Sequence, residues 1–263
     1  MNKISVALIF RDEALNLPYW LDAVRGFADE IVAVDSGSGD NGPDLLRAAG
    51  ARVEYNPWPG YGRQRNLACD LCGGDWILFL DADEWPDQAF VASMNQFKKD
   101  PEIEAGGYYI QMKVFFFGRF LRHGGFFPEH CLRLLKRGHG RWSEREIHES
   151  LLIDGPVGIF RPGYIHHHSY RNISDYLRRL DSYSTLAARE MLSRGQRGRP
   201  VKAFAHAFFN FVSRYFLRLG FWDGFAGYLA ARLEATYTLS KYTKLWEMGR
   251  ELTDKGEDGK RNG

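Results

Sequence analysis

The sequence has few of the features that define several protein classes. Only three of its 263 residues are cysteine, so a disulfide-stapled secreted scaffold is excluded and a reducing compartment is expected. Lysine and arginine (35) almost balance aspartate and glutamate (33). This balance by itself argues neither for nor against nucleic acid, and we expect no nucleic-acid partner. The N-terminus lacks a basic region followed by a long apolar one, so no signal peptide is expected.

Long uninterrupted apolar runs are absent as well. Residues 203–233 are rich in Phe, Tyr and Trp, but polar residues interrupt any run of roughly 18 apolar positions that a membrane span needs. The interrupting residues are His206, Asn210, Arg214 and Arg218. Aromatic residues with arginines predict helices lying on an anionic leaflet, with basic residues in 193–202 adding attraction. The alternative is an ordinary helical cap or a dimer surface.

The first hundred residues alternate between short apolar runs and helical patterns. Strands are predicted at 4–10, 30–35, 51–56 and 75–80, and helices at 13–27, 43–50 and 63–74. Strands that alternate with helices predict an α/β fold with a mostly parallel, Rossmann-like sheet flanked by helices. Such a sheet binds nucleotides beyond the carboxyl ends of its strands.

The remaining chain predicts a different organisation. Residues 1–170 form the predicted catalytic domain, with 1–100 as its nucleotide-binding half and 101–170 as an aromatic, β-rich and then loop-rich acceptor half. Residues 171–250 predict a helical, aromatic-rich extension, and 251–263 a disordered tail. A Cys69-x-x-Cys72 pair lies in a predicted helix, where a metal or redox role is disfavoured because no second pair exists.

The segment WILFLDADEWPD, residues 76–87, runs from a buried strand into four carboxylates. Carboxylates this close raise one another's pKa unless a cation neutralises them. Hard divalent ions such as Mg²⁺ or Mn²⁺ prefer oxygen ligands. Asp12, Asp35 and Asp81 follow strands whose ends are expected at one sheet edge. The alternative is a surface turn with helix-capping acids.

An ordered series of motifs resembles the family-two glycosyltransferases with the GT-A fold. The motifs are FRDEALNL, ADEIVAVDSGSGD, GYGRQRNLA and GDWILFLDADE. Three later motifs resemble a bacterial subgroup of β-glucosyltransferases that act on a heptose of the lipopolysaccharide inner core: HGGFFPEHCLRLLKRG, REIHE and HHSY. The resemblance extends from about residue 4 to 246. Each motif is weak alone, and their order makes the set specific.

The resemblance implies a donor site for a UDP-sugar. Asp35 would accept a hydrogen bond from uracil, although an Asx turn after the strand is the alternative. Arg65 would lie near the ribose or diphosphate. Asp81 would hold the nucleotide or the metal, and Asp12 would belong to the same donor site. The family usually has Asn at the position of Asp12 and Thr at that of Gly39.

The resemblance also implies a DXD-type metal site and a catalytic base. Asp83 would bind Mg²⁺ or Mn²⁺ directly, with His167 as a further ligand or, alternatively, a packing group. Glu129 would be the base, at a position where the family usually has Asp. Glu129 could instead pair with Arg133 or bind the acceptor, leaving the pair His148 and Glu149 to supply the base. That pair could equally be a salt-linked strand pair.

These roles imply a metal-dependent, inverting glycosyltransferase that moves a sugar, expected to be glucose, onto a lipid-linked saccharide of the lipopolysaccharide core. Such an enzyme would be cytoplasmic and peripheral on the inner face of the bacterial inner membrane. Two other classes stay open: a sugar-phosphate nucleotidyltransferase, and a non-catalytic glycan- or lipid-binding protein on a transferase-like fold. The first would need a basic, glycine-rich phosphate loop after the first strand.

Overall fold

The computed structural model describes residues 1–101, 103–144, 150–170 and 172–261. The strands are β1 (Ile4–Phe10), β2 (Glu30–Asp35), β3 (Arg52–Tyr55), β4 (Trp76–Phe79), β5 (Glu84–Pro86), β6 (Gly107–Phe116), β7 (Arg119–Phe120), β8 (Glu129–Lys136), β9 (Gly140–Trp142), β10 (Leu151–Ile153), β11 (Val157–Ile159) and β12 (Ile165–Tyr170). The helices are α1 (Leu17–Val24), α2 (Gly42–Ala48), α3 (Tyr61–Leu71), α4 (Gln88–Phe97), α5 (Ile173–Ser193), α6 (Pro200–Val212) and α7 (Gly224–Arg261). A π-helical turn (Ser213–Leu217) and a 3-10 turn (Gly220–Asp223) join the last two.

The central sheet is mixed, with the strand order β3-β2-β1-β4-β8-β6-β12-β5. The first four strands in that order are parallel to one another. β8 then runs antiparallel to both of its neighbours, and β12 runs antiparallel to β5. The four parallel strands with flanking helices confirm the predicted GT-A arrangement, a Rossmann-like half continued by antiparallel strands.

Alternation along the parallel strands builds one core on each face of the sheet. In β4, Trp76 and Leu78 join one core while Ile77 and Phe79 join the other. Side chains of a strand point to opposite faces in turn, and a continuous apolar run therefore fills both. Burial of each such large side chain stabilises the fold by about 1.5–3 kcal/mol. The packed cores on both faces thus hold the carboxyl ends of these strands in fixed positions.

The chain divides into two compact units, Met1–Lys113 with Pro128–His168, and Val114–Phe127 with Ser169–Gly263. The second unit has its own core, in which Phe116 and Tyr176 are joined by Leu121, Ala230 and Leu233. The segment Val114–Phe127 groups with the C-terminal helices, a long-range pairing that no local sequence pattern indicates.

Two local differences from the sequence predictions stand out. Residues 129–136, predicted to lie among loops, form β8, whose Leu134 and Leu135 are buried where the strand pairs with β4 and β6. Helix α7 is assigned through Arg261 and so enters the segment predicted to be a tail. The predicted domain limits stay a prediction. Among the residues described, no helix combines the length and apolar character needed to cross a bilayer.

Candidate active site

Asp12 and Asp35 lie together where β1 and β2 end. These strands are paired in parallel with Phe10 opposite Asp35, so both carboxyl ends meet at one edge. The Ser38 hydroxyl accepts the Asp12 N–H at 3.0 Å and donates to Asp35 Oδ1 at 2.7 Å. The Gly39 N–H donates to Asp12 Oδ1 at 2.7 Å. The two predicted donor-site acids therefore share one hydrogen-bonded loop.

Asp35 closes a turn and still has one oxygen available. Its side chain is nearly buried, and its Oδ1 accepts the N–H groups of Gly37 and Ser38 at 3.2 and 2.9 Å. The Asx-type turn considered as the alternative is therefore present. Oδ2 accepts no hydrogen bond from the part of the chain that is described. A further hydrogen bond to Oδ2 would leave the turn intact.

Asp81, Asp83 and Glu84 form what we term the carboxylate cluster, just past β4. Arg65 Nη2 donates to both Asp81 oxygens at 3.0 and 3.2 Å. Arg133 Nη2 lies 3.2 Å from Asp81 Oδ2 and 2.8 Å from Glu84 Oε1. Burial alone would raise the pKa of Asp81, but the two guanidinium groups outweigh it and hold that pKa well below its usual range. Burial raises the pKa of Glu84, opposed by Arg133.

A break in strand register accompanies the inward placement of Arg133. In the β6–β8 ladder Tyr108 pairs with Leu134 and Tyr109 pairs with Leu132, so Arg133 is the extra residue of a β-bulge. A bulge bends its strand and re-aims a side chain, commonly beside active sites. Burial lowers the pKa of Arg133, but Glu84 and Asp81 more than compensate and raise it above its usual value. Arg133 is therefore a fixed cation.

Arg65 is positioned by the polar face of α3. The Arg65 guanidinium lies over the Trp142 ring at 4.5 Å, and Asn66 holds the Trp142 backbone through two hydrogen bonds of 2.9 Å. Gln64 Nε2 donates to Ser36 Oγ at 3.0 Å, which ties α3 to the end of β2. The motif RQRN thus supplies buried polar side chains that hold α3 in place, and it supplies the cation of Arg65 that pairs with Asp81.

Asp83 and His167, the two predicted metal ligands, are brought together. Asp83 Oδ2 and His167 Nε2 are 3.7 Å apart. Two atoms bonded to the same Mg²⁺ can be at most about 4.2 Å apart, so this pair fits a single ion. Burial lowers the pKa of His167, but the close carboxylate of Asp83 and those of Glu84 and Asp81 raise it to about 9. A metal would therefore displace a proton.

The structure also bears on Asp87 and on the cysteines. Asp87 is the N-cap of α4, because its carboxylate accepts the Phe90 N–H at 2.9 Å. The capping interpretation of the acidic segment thus holds for Asp87. The cysteines are free, and burial raises the pKa of Cys72 to about 12, which disfavours the thiolate form that reacts.

Comparison with known proteins supplies the family. Residues 5–161 match the model of the family described as Glycosyl transferase family 2. The chain belongs to glycosyl transferase family 2. A lipopolysaccharide core biosynthesis glycosyltransferase, LpsC of Rhizobium meliloti, is 30% identical over 93% of this chain and 92% of its own length. An uncharacterized glycosyltransferase of Rickettsia typhi is 24% identical over 94% of this chain and 88% of its own.

The similarity of this family 2 glycosyltransferase to solved structures is low. Glucosyl-3-phosphoglycerate synthase of Mycobacterium tuberculosis, in complex with Mn²⁺, UDP and glucosyl-3-phosphoglycerate, is 25% identical over 43% of this chain, with a TM-score of 0.33. The match spans 44% of that chain, under half of its length. The score is below 0.5, so fold and family rest on the strand order and the sequence relatives.

Of the predicted bases of the family 2 enzyme, Glu129 is the one that the described residues include. Glu129 is exposed at the start of β8, opposite Met112. It does not pair with Arg133, whose partners among the described residues are Asp81 and Glu84. His148 and Glu149 lie outside the described residues. The choice between Glu129 and Glu149 stays a prediction.

Two residues of the site, Glu84 and Arg133, were not predicted. Glu84 is fully buried and pairs with Arg133. An arginine between leucines in LRLL is a usable signal, since a charged residue in a buried strand requires a partner. Its partner could not be found from sequence, because Glu84 is 49 residues away.

Proposed function

We propose that this family 2 enzyme is an inverting, metal-dependent glycosyltransferase that uses a UDP-sugar, with glucose as the expected sugar. The acceptor would be a lipid-linked saccharide of the lipopolysaccharide core, met at the inner face of the inner membrane. The relation to a lipopolysaccharide core glycosyltransferase over nearly the whole chain supports this acceptor class. The observation that supports this chemistry is that the acids of the carboxylate cluster have different partners. Asp81 lies between two arginines, and Asp83 lies beside His167.

Each donor group would have a separate contact. The available Oδ2 of Asp35 would accept the N3–H of uracil, a task suited to an acceptor-only carboxylate. Asp12 shapes the loop next to it through Gly39 and Ser38. Arg65 and Arg133 fix Asp81 and keep it ionised near the diphosphate side of the site. Preorganised charges of this kind stabilise a transition state without reorganising.

Asp83 and His167 would hold Mg²⁺ or Mn²⁺, leaving further positions for diphosphate oxygens and water. The ion would neutralise charge that grows on the leaving diphosphate. Within the described ranges no group of three or more His, Cys, Asp or Glu side chains is arranged as a ligand set. The protein would therefore supply two ligands and depend on the donor for others.

The transfer itself would be a single displacement. The carboxylate of Glu129 or Glu149 takes the proton of an acceptor hydroxyl while the hydroxyl oxygen attacks the anomeric carbon. The bond from that carbon to UDP breaks on the opposite side, and UDP leaves with the bonding electrons. One displacement inverts the anomeric centre, so an α-linked donor gives a β product.

A thermal-shift screen of UDP-, GDP-, ADP- and dTDP-sugars, with and without Mn²⁺, tests the donor. A ligand that binds only the folded state raises Tm. We expect the largest rise with a UDP-sugar plus Mn²⁺, and a smaller one for Asp83→Asn. A larger rise with another nucleotide, or a UDP effect unaltered by Mn²⁺, would contradict the proposal.

A further inference from the structure

Helix α6 packs one face against α7 and leaves an apolar face on its other side uncovered. Ala203 is buried, His206 stacks on Tyr242 at 4.7 Å, and Asn210 Nδ2 donates to Thr238 Oγ1 at 3.0 Å. These contacts place that face against α7. On the opposite side of the helix, at spacings of three and four residues, lie Val201, Phe204 and Phe208, 81, 64 and 71% exposed.

A connected group of aromatic rings follows this stripe along the chain. Phe211 lies 6.3 Å from Phe216 and 5.9 Å from Tyr228, and Tyr228 stacks on Phe225 at 6.3 Å. Tyr215 and Phe221 join the group and bring Trp222 with them. The most exposed members are Trp222 at 66% and Phe225 at 74%. Contiguous exposed apolar surface of this kind marks an interaction site.

Basic residues predominate in the segment that carries this surface. Residues 193–233 contain seven basic residues and one acidic residue, Asp223. Asp223 is occupied, since it accepts the His123 N–H at 2.8 Å and lies 3.0 Å from His123 Nδ1. Arg197, Arg199 and Lys202 are exposed and have no ion-pair partner in the described part of the chain. They stand at the start of α6, beside Val201.

We propose that the exposed apolar side chains of Val201, Phe204, Phe208, Trp222 and Phe225, together with the basic residues at the start of α6, form a docking surface for an anionic bilayer. Aromatic and aliphatic groups would enter the headgroup boundary while Arg197, Arg199 and Lys202 meet lipid phosphates. A protein partner would need matching acidic and apolar surface, whereas an anionic leaflet offers both over any area. The helices lie on the membrane and do not cross it.

This inference deepens the proposed function, since a lipid-linked acceptor is met at a membrane. The test is flotation of the full chain with vesicles of phosphatidylglycerol and phosphatidylethanolamine, compared with phosphatidylcholine alone. We expect flotation with the anionic vesicles. The triple variant Phe204→Ser, Phe208→Ser and Trp222→Ser should lose it by at least about tenfold in partition. Arg197→Gln, Arg199→Gln and Lys202→Gln together should lower flotation and weaken its salt dependence.

A matched control comes from α5. Leu177, Tyr183 and Leu186 are also exposed there, and their triple serine variant should float as the unaltered chain does. Circular dichroism melting confirms that each variant is folded. Absent flotation of the unaltered chain, or equal flotation of the aromatic triple variant, would overturn the inference. A dimer in sedimentation that the aromatic variant dissociates, with flotation unchanged, would assign the surface to a second copy.

Donor binding separates this inference from the proposed function. Calorimetry of UDP with Mn²⁺, without vesicles, should give the same affinity for the unaltered chain and the aromatic triple variant. Flotation without UDP binding would leave the surface intact and remove the donor assignment. UDP binding without flotation would do the reverse.

Discussion

At the scale of single residues, the acids after β4 have distinct partners. Asp81 lies between Arg65 and Arg133, Asp83 lies beside His167, and Asp87 caps α4. Similar side chains a few positions apart therefore acquire different partners and different surroundings. Their charges can be tested one at a time, because each lies in a separate set of contacts.

Asp83→Asn tests the metal site. We expect turnover to fall by at least about 100-fold, the order of effect seen when one electrostatic stabiliser is removed. Thermal stability should change little, because the amide keeps the size of the side chain. Asp87→Asn is the control: asparagine also caps helices well, so activity should persist. Near-normal turnover of Asp83→Asn with Mg²⁺ or Mn²⁺ would remove Asp83 from the site.

Asp35→Asn distinguishes the role of Asp35 in the turn from its proposed role in binding the nucleobase. An asparagine oxygen can keep the N–H groups of Gly37 and Ser38, so the loop should survive. Its amide cannot accept from uracil, and loss of a charge-assisted hydrogen bond costs about 2 kcal/mol. Calorimetry should show UDP affinity reduced about 30-fold for that energy. Unchanged affinity would restrict Asp35 to the turn.

Glu129→Gln and Glu149→Gln distinguish the two base candidates. A base acts in the transition state, so its loss should lower kcat by about 100-fold or more and leave donor affinity unaltered. We expect that pattern for Glu129→Gln in steady-state kinetics. If Glu149→Gln shows it and Glu129→Gln remains active, the roles are exchanged.

At the scale of elements, the bulge in β8 determines the electrostatics of the site. The extra residue in this strand is Arg133, which reaches both Asp81 and Glu84. The neighbouring leucines keep their places in the cores on the two faces. The bulge in β8 thus lets the leucines stay packed while Arg133 reaches the acids of the site.

Arg133→Met should destabilise the protein by about 3–5 kcal/mol, because it leaves Glu84 buried without its partner. Adding Glu84→Gln should restore part of that loss, since the remaining side chain is neutral. Urea unfolding of the two single variants and the double variant gives the coupling energy. Strict additivity of the two effects would show that the pair does not interact as described.

At the scale of the whole molecule, ligand chemistry and the exposed aromatic surface belong to different compact units. The residues proposed for the donor lie within Met1–Lys113 and Pro128–His168, and each unit has its own core. Local opening follows such cooperative units. Donor binding and vesicle binding can therefore be followed separately in the two units.

Hydrogen exchange should report this division. UDP with Mn²⁺ should slow exchange in the first unit, above all at the ends of β2 and β4, and leave α6 unaltered. Anionic vesicles should slow exchange at the start of α6 and around Trp222. Mass spectrometry of peptides measures both. Slower exchange of α6 on UDP binding alone would show that the two units respond together.

The sequence by itself determined the parallel half of the sheet and the position of its acids. β1 and β2 were predicted with their observed limits because continuous apolar runs bounded by turn residues are local signals. Asp12, Asp35 and Asp81 were placed at one edge because parallel strands share the direction of their ends. Only the tertiary structure decided that Arg133 and Glu84 form a pair, that Asp83 faces His167, and that Val114–Phe127 groups with the C-terminal helices. Those contacts join distant residues, and long-range pairings depend on register and packing, which a local pattern does not encode.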